Sequence, residues 1–290
     1  MNRFQFTFFV LILMGMSHGL FAQYSLSTYS SLRNQDISIF NLSKGGSAYG
    51  QAIWMNRSAS GKRIKAKYFA SGNAYQSFKN WKIGKDIILI SSGAYSEGWT
   101  SNSTPIGLCV DNGRIVNRNI KNEMDGLVIV EAVGGVRVSD IERNDLTLHS
   151  LGKRKISPRR DKITLLNWGS SENATIFQTH LLAFENTLRV GTNGSHESAN
   201  RRMLVLATYN GEVIHLVFHI TRNVTLYQAA NDVQKTLIKR GINVVGVLNL
   251  DTGGYDILKV YNDQGYPYSD ISGTVNNLSD ATNLLVYYYE

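Results

Sequence analysis

The chain has 290 residues, 43% hydrophobic and 18% charged, with a formal net charge of +8 and one cysteine, Cys109. A single cysteine excludes an intrachain disulfide, and this length buries a full core without staples. The positive balance favours anionic partners such as phosphate-bearing substrates, acidic glycans or lipid head groups. No nucleic-acid-binding motif is present, so nucleic acid is not expected as a partner.

The first segment reads as a secretory signal peptide over residues 1–22. Arg3 supplies the positive start, Phe4 to Met16 is almost continuously apolar, and Gly19-Leu20-Phe21-Ala22 ends on a small residue. That run is shorter than the roughly 20 residues a spanning helix needs. No later segment is long and apolar enough to span a membrane, and no cysteine stands directly after Ala22 to carry a lipid. An exported chain without disulfides fits a bacterial periplasm, cell surface or extracellular space.

Residues 23 to 60 are rich in Ser, Asn and Tyr with weak periodicity. They are expected to form an irregular N-terminal region, extending to about residue 79, packed on a main domain at 80–290. From Arg63 onward strands dominate. Ile64 to Phe69 alternates, and Asp86 to Ser91 is a buried-type apolar run. Ile106 to Val110 and Arg114 to Asn117 flank Asp111-Asn112-Gly113, a strong hairpin signal. Leu127 to Ala132 and Val136 to Ser139 flank Val133-Gly134-Gly135. Met203 to Thr208 and Val213 to Ile220 flank Tyr209-Asn210-Gly211-Glu212. One helix stands out. Thr225-Leu226-Tyr227-Gln228 is a capping box, and Leu226, Ala229, Ala230, Val233, Leu237 and Ile238 form one apolar stripe. Gly241 stops it. A buried strand, Ile242 to Leu250, and a further strand, Ile257 to Tyr261, follow. The expected fold is α+β: one strand-rich domain with several hairpins and a prominent helix before the last core strands.

Four places carry candidate chemistry. In Leu250-Asp251-Thr252-Gly253-Gly254 an apolar strand ends on a carboxylate and two glycines. A strand-ending turn capped by Asp accounts for this as well as a catalytic Asp251 does. Ser91-Ser92-Gly93-Ala94-Tyr95-Ser96-Glu97-Gly98 also follows a buried strand, so Glu97 and Asp251 can converge as an acid/base pair. Taken alone, this loop reads first as an ordinary glycine-containing turn with an exposed Glu. Asn200-Arg201-Arg202 precedes a strand, and arginine forks suit phosphate or carboxylate. The last place is the histidine set: His180, and His215 with His219 on one strand face. With no third ligand spaced around them, His215 and His219 are expected to be structural or surface residues. Lys153, Arg154, Lys155, Arg159, Arg160 and Lys162 read as a solvated basic loop around Pro158. The Asp251-Thr252-Gly253 tripeptide also matches an aspartic protease signature, but that chemistry needs two such aspartates, and no second Asp-Thr/Ser-Gly occurs.

The order and spacing of these pieces over residues 80 to 265 resemble the phosphodiester glycosidase family. The resemblance runs from Ser91-Ser92-Gly93-Ala94-Tyr95 and Pro105-Ile106-Gly107-Leu108 through Gln178-Thr179-His180-Leu181-Leu182 and Arg201-Arg202. It ends with the Thr225 to Gly241 helix and Asn249-Leu250-Asp251-Thr252-Gly253-Gly254. In the first loop Ser91 and Ser92 stand for the family's Asn-Gly, and Ala94 and Tyr95 for its aromatic pair. In the last, Thr252 replaces a glycine, and Tyr255 and Asp256 replace serines. The resemblance implies hydrolysis of a sugar-1-phosphodiester to free sugar and phosphomonoester. It implies Arg201 and Arg202 as phosphate ligands, Asp251 as base or electrostatic stabiliser, Glu97 as its partner, and His180 as an orienting group. Ser92, Gly93, Tyr95, Asn249, Gly253, Gly254 and Tyr255 complete the implied substrate site, the amides around Gly93 and Gly253 donating to substrate oxygens. The ligand is then an anionic sugar-phosphate or glycan. No cofactor is expected, with a divalent cation left open. The competing expectation is a catalytically degenerate glycan- or phosphoglycan-binding envelope protein on the same fold, with Tyr255 stacking on a sugar face.

Overall fold

A computed structural model describes residues 24–32, 36–56, 61–70, 72–98, 103–148, 155–191, 197–253, 256–268 and 277–290. The expected signal peptide, Gly254 and Tyr255 lie outside the described residues. In chain order the elements are β1 (Ser25–Leu32), β2 (Ile37–Lys44), β3 (Ser47–Met55), β4 (Ile64–Phe69), α1 (Ala74–Trp81), β5 (Asp86–Ser91), β6 (Cys109–Asp111), β7 (Arg114–Asn117), β8 (Gly126–Val130) and β9 (Val136–Asp140). There follow β10 (Leu146–Thr147), β11 (Lys155–Ile156), α2 (Lys162–Ser171), β12 (Thr175–Phe184), β13 (Thr187–Leu188), β14 (Ala199–Tyr209), β15 (Glu212–Val224), α3 (Leu226–Lys239), β16 (Asn243–Leu250), β17 (Leu258–Val260) and β18 (Leu284–Tyr289).

The fold is strand-rich. The large sheet runs β1-β2-β3-β15-β14-β16-β12-β6-β7, and a smaller one runs β17-β5-β18-β4. Ile53, Leu204, Val217 and Leu248 of the first and Tyr68, Leu89, Leu285 and Tyr287 of the second share the core between them. Alternation sends the intervening residues outward. Val205, Phe218 and Val247 therefore meet Ala229, Val233 and Leu237 of α3 on the opposite face. Each buried Val, Leu or Phe side chain here contributes about 1.5–3 kcal/mol. The capping box of α3 is formed in full: Gln228 N–H donates to Thr225 Oγ1, and Thr225 N–H donates to Gln228 Oε1. Ile238, assigned to the apolar stripe from sequence, is 48% exposed. The hairpin at Asn112-Gly113 closes with both residues at positive φ, 48° and 84°, as its two-residue turn requires.

The N-terminal region corrects one expectation. Within 23–60 the described residues are not irregular: β1, β2 and β3 form an antiparallel meander that extends the large sheet along β15. Their polar residues occupy a face that is half solvated, which conceals the alternation. Gly50 marks the join, because a Cβ there would lie 2.0 Å from the His219 carbonyl oxygen. β18 and the helices α1 and α2 have no counterpart in the elements expected from sequence.

Candidate active site

The strand ends bring four separate segments together. β14 begins where β16 finishes, with Arg202 opposite Leu250. β5 pairs with β17 and β18 in the smaller sheet, and the segment leaving it meets the one leaving β16. Asp251 N–H donates to the Gly93 carbonyl at 3.0 Å, which locks these two segments to each other. Asn283, at the foot of β18, is a second clamp. Its Oδ1 accepts from Gly93 N–H at 2.9 Å, and its Nδ2 donates to the Ala94 carbonyl at 2.8 Å. Beyond this point Ile106 N–H donates to the Tyr95 carbonyl and Glu97 N–H to the Thr104 carbonyl.

These contacts frame a cavity of about 390 Å³ lined by Tyr95, Glu97, Glu197, Arg201, Asp251 and Gly253, among others. Of the expected site residues, Asp251, Glu97, Arg201, Tyr95 and Gly253 share this space. Burial raises the Asp251 carboxyl above its ordinary range, and nearby Asp256 pushes the same way. The Gly253 amide, donating to Asp251 Oδ1 at 2.8 Å, and Arg202 partly offset this. Burial pushes the Tyr95 hydroxyl up to about 12, with Asp251 adding to the effect. That hydroxyl therefore stays protonated at neutral pH. Arg201 donates through Nε to the Val224 carbonyl at 3.1 Å and through Nη2 to the Glu197 carbonyl at 2.6 Å. Burial lowers its guanidinium from the ordinary arginine value, while Tyr95 and Glu197 oppose the change.

Other expected residues do different work. Arg202 is fully buried and cannot touch a ligand. Alternation turns it to the face opposite Arg201, between the sheets. There it pairs with Asp256 at 2.5 Å, donates to the Ile257 carbonyl at 2.6 Å, and meets His219 Nδ1 at 3.2 Å. Ser92 is spent on the same loop: its N–H donates to the Ile257 carbonyl and its Oγ accepts from Ile257 N–H. The Gly93 amide belongs to Asn283, and the Gly253 amide to Asp251, so neither is left to bind substrate oxygens. A Cβ at Gly93 would lie 2.7 Å from the Tyr68 ring, so this glycine answers to packing. Asn249 is buried and its side-chain amide donates to the Tyr95 hydroxyl, placing that ring instead of a ligand.

His180 lies edge-on to Tyr95, ring centroids 5.5 Å apart, and lines a neighbouring cavity of about 570 Å³ with Glu123, Asp125, Glu142 and Arg189. Burial lowers its pKa, which favours the neutral imidazole. His215 is buried against the Tyr287 hydroxyl at 3.3 Å and pushed down to about 4 by desolvation. Among the described residues, no cluster of three or more His, Cys, Asp or Glu side chains is placed to hold a metal ion. No described helix is long and apolar enough to cross a membrane. Sequence reasoning missed Glu197 and Thr282, which line the cavity, and the clamp Asn283. Glu197 has no local signal, and Thr282 and Asn283 sit before a strand of aromatic and apolar residues that carries no alternation.

No protein-family model matches the chain, and no curated protein matches it in sequence. Among solved structures it is similar to the catalytic domain of zebrafish N-acetylglucosamine-1-phosphodiester alpha-N-acetylglucosaminidase, a structure auto-inhibited by its pro-peptide. The TM-score is 0.52 at 13% identity, over 92% of this chain and 88% of that one. At that identity the likeness shows a distant relationship of fold: the domain resembles that of a phosphodiester glycosidase.

Proposed function

We propose that this chain is an exported hydrolase that cleaves a sugar-1-phosphodiester into a free sugar and a phosphomonoester. The observation that carries the reading is the meeting of Asp251 and Arg201 on one cavity. A guanidinium neutralises a phosphodiester, and a partly desolvated carboxylate on the same cavity can take a proton from water. Water attacks the anomeric carbon, the bond from that carbon to the phosphate oxygen breaks, and the phosphomonoester leaves with the bonding electrons. The water proton passes to Asp251, with Glu97 on the same cavity as its partner. Once its charge is balanced by Arg201, the leaving phosphate needs no strong acid. The Tyr95 hydroxyl, held by Asn249, supplies a neutral donor at the wall.

Sugar release from a sugar-1-phosphodiester tests this directly. Wild type should liberate sugar, and Asp251→Asn should abolish release while leaving the fold intact; full activity in that variant would sink the assignment. One observation supports a non-catalytic binder on the same fold: the Gly93 and Gly253 amides are both occupied within the protein, so two expected donors are missing. Ligand binding by wild type without any sugar release would decide for it.

A further inference from the structure

The candidate cavity carries charge of the opposite sign to the chain. The whole protein is formally +8, and such a field draws anions of any valence towards it. Inside the cavity the balance reverses, because among the described residues Glu97, Glu197 and Asp251 face one guanidinium, that of Arg201. Arg202 offers a ligand no contact, since it is sealed in the interior, and its charge is opposed there by Asp256. Arg201 is also committed in place by its bonds to the Val224 and Glu197 carbonyls. One fixed guanidinium balances one negative charge. A phosphodiester carries one, whereas a phosphomonoester carries about −1.5 to −2 at neutral pH. Each added charge meets carboxylates, with no further cation lining the cavity among the described residues.

We propose that these carboxylates form a charge filter, with Glu197 as a specificity-determining residue, admitting singly charged phosphodiesters and turning away phosphomonoesters and pyrophosphates. The inference rests on the reading of Arg201 as a phosphate ligand. It adds a consequence for turnover: hydrolysis converts a singly charged ester into a more highly charged product, which the cavity then repels. Glu197 is the residue to vary because it is exposed and its hydrogen bond to Arg201 comes from the backbone carbonyl, so a side-chain change alters the charge and keeps that bond.

Dimethyl phosphate, methyl phosphate and pyrophosphate test the filter, since none contains a glycosidic bond to be hydrolysed. Binding is followed by nuclear magnetic resonance shifts of the whole protein at low salt and about pH 8, above the second ionisation of the monoester. Wild type should bind dimethyl phosphate roughly tenfold more tightly than methyl phosphate, and pyrophosphate most weakly. Glu197→Gln should narrow that ratio about threefold, and Glu197→Lys should reverse the order. About 0.5 M salt should compress all three differences. Equal or tighter binding of the monoester by wild type, a ratio unchanged in both variants, or no binding of any probe would overturn the proposal. Sugar release from a phosphodiester alongside equal binding of both methyl esters removes the filter but leaves the hydrolase. Discrimination without sugar release supports the filter and removes the hydrolase.

Discussion

Replacing Arg202 with methionine should unfold the protein's site from beneath instead of weakening an anion contact. The guanidinium is fully buried and sits 2.5 Å from Asp256, whose residue is only 7% exposed. Removing it leaves that carboxylate without a counter-charge, which costs about 3–5 kcal/mol for a buried pair broken on one side. The lost bond to the Ile257 carbonyl adds little, because that oxygen keeps the Ser92 N–H. For a domain of this size the penalty corresponds to a fall of roughly 6–20 °C in Tm. The sign of the pH dependence follows from Asp256. Burial already raises its folded pKa, and Arg202 pulls it down. Without Arg202 the folded carboxyl binds a proton more readily than the unfolded one, so the deficit is largest at neutral pH and shrinks as pH falls. Equilibrium urea unfolding at about pH 5 and pH 8 measures both quantities. Arg202→Met combined with Asp256→Asn should recover most of the loss, because no buried charge is then orphaned. A penalty below about 1 kcal/mol, a deficit independent of pH, or a double variant no better than the single one would refute the reasoning.

Activity should carry the signature of Asp251. Burial raises its carboxyl, and a base must be ionised to work, so kcat/KM should fall as pH drops through a value above the ordinary aspartate figure of about 3.9. An acid limb at or below that figure counts against Asp251 as the base. The same desolvation penalises the ionised form in the folded state, so stability is lost as pH rises through the raised pKa. Asp251→Asn should therefore melt no lower than wild type at neutral pH by differential scanning calorimetry; a clear fall contradicts this. Gly50→Ala should break the β3–β15 join, since the new Cβ would meet the His219 carbonyl at 2.0 Å. Its effect should appear as a lower Tm for the whole domain, and an unchanged melt would show that β1 to β3 are peripheral.

The residues that carry strong local signals were legible. Asp111-Asn112-Gly113 makes its hairpin, and Thr225 with Gln228 makes its cap, because turn and cap geometry depend on side chains a few positions apart. The strands Ile64–Phe69 and Asp86–Ser91 match their expected limits, each being bounded by a change of pattern. β1 to β3 were hidden because this end of the sheet carries Ser, Asn and Tyr on a half-solvated face, which blurs the alternation. Asn283 was invisible because its role is to hold Gly93 and Ala94, nearly two hundred positions away.

The sequence by itself placed Asp251 at the end of a buried strand, Tyr95 and Glu97 after another, and two arginines just ahead of a third, a strand that in the structure already begins at Ala199 and includes them. Local pattern decides those placements, since burial and turn chemistry act over neighbouring residues. Only the tertiary structure decided which groups remain for a ligand. Arg201 and Arg202 are chemically alike, yet strand alternation turns one to the cavity and seals the other against Asp256. The amides of Gly93 and Gly253 are likewise claimed by partners that the chain order does not reveal. Pairing across the sheets allots each buried donor and acceptor, and what it leaves over forms the site.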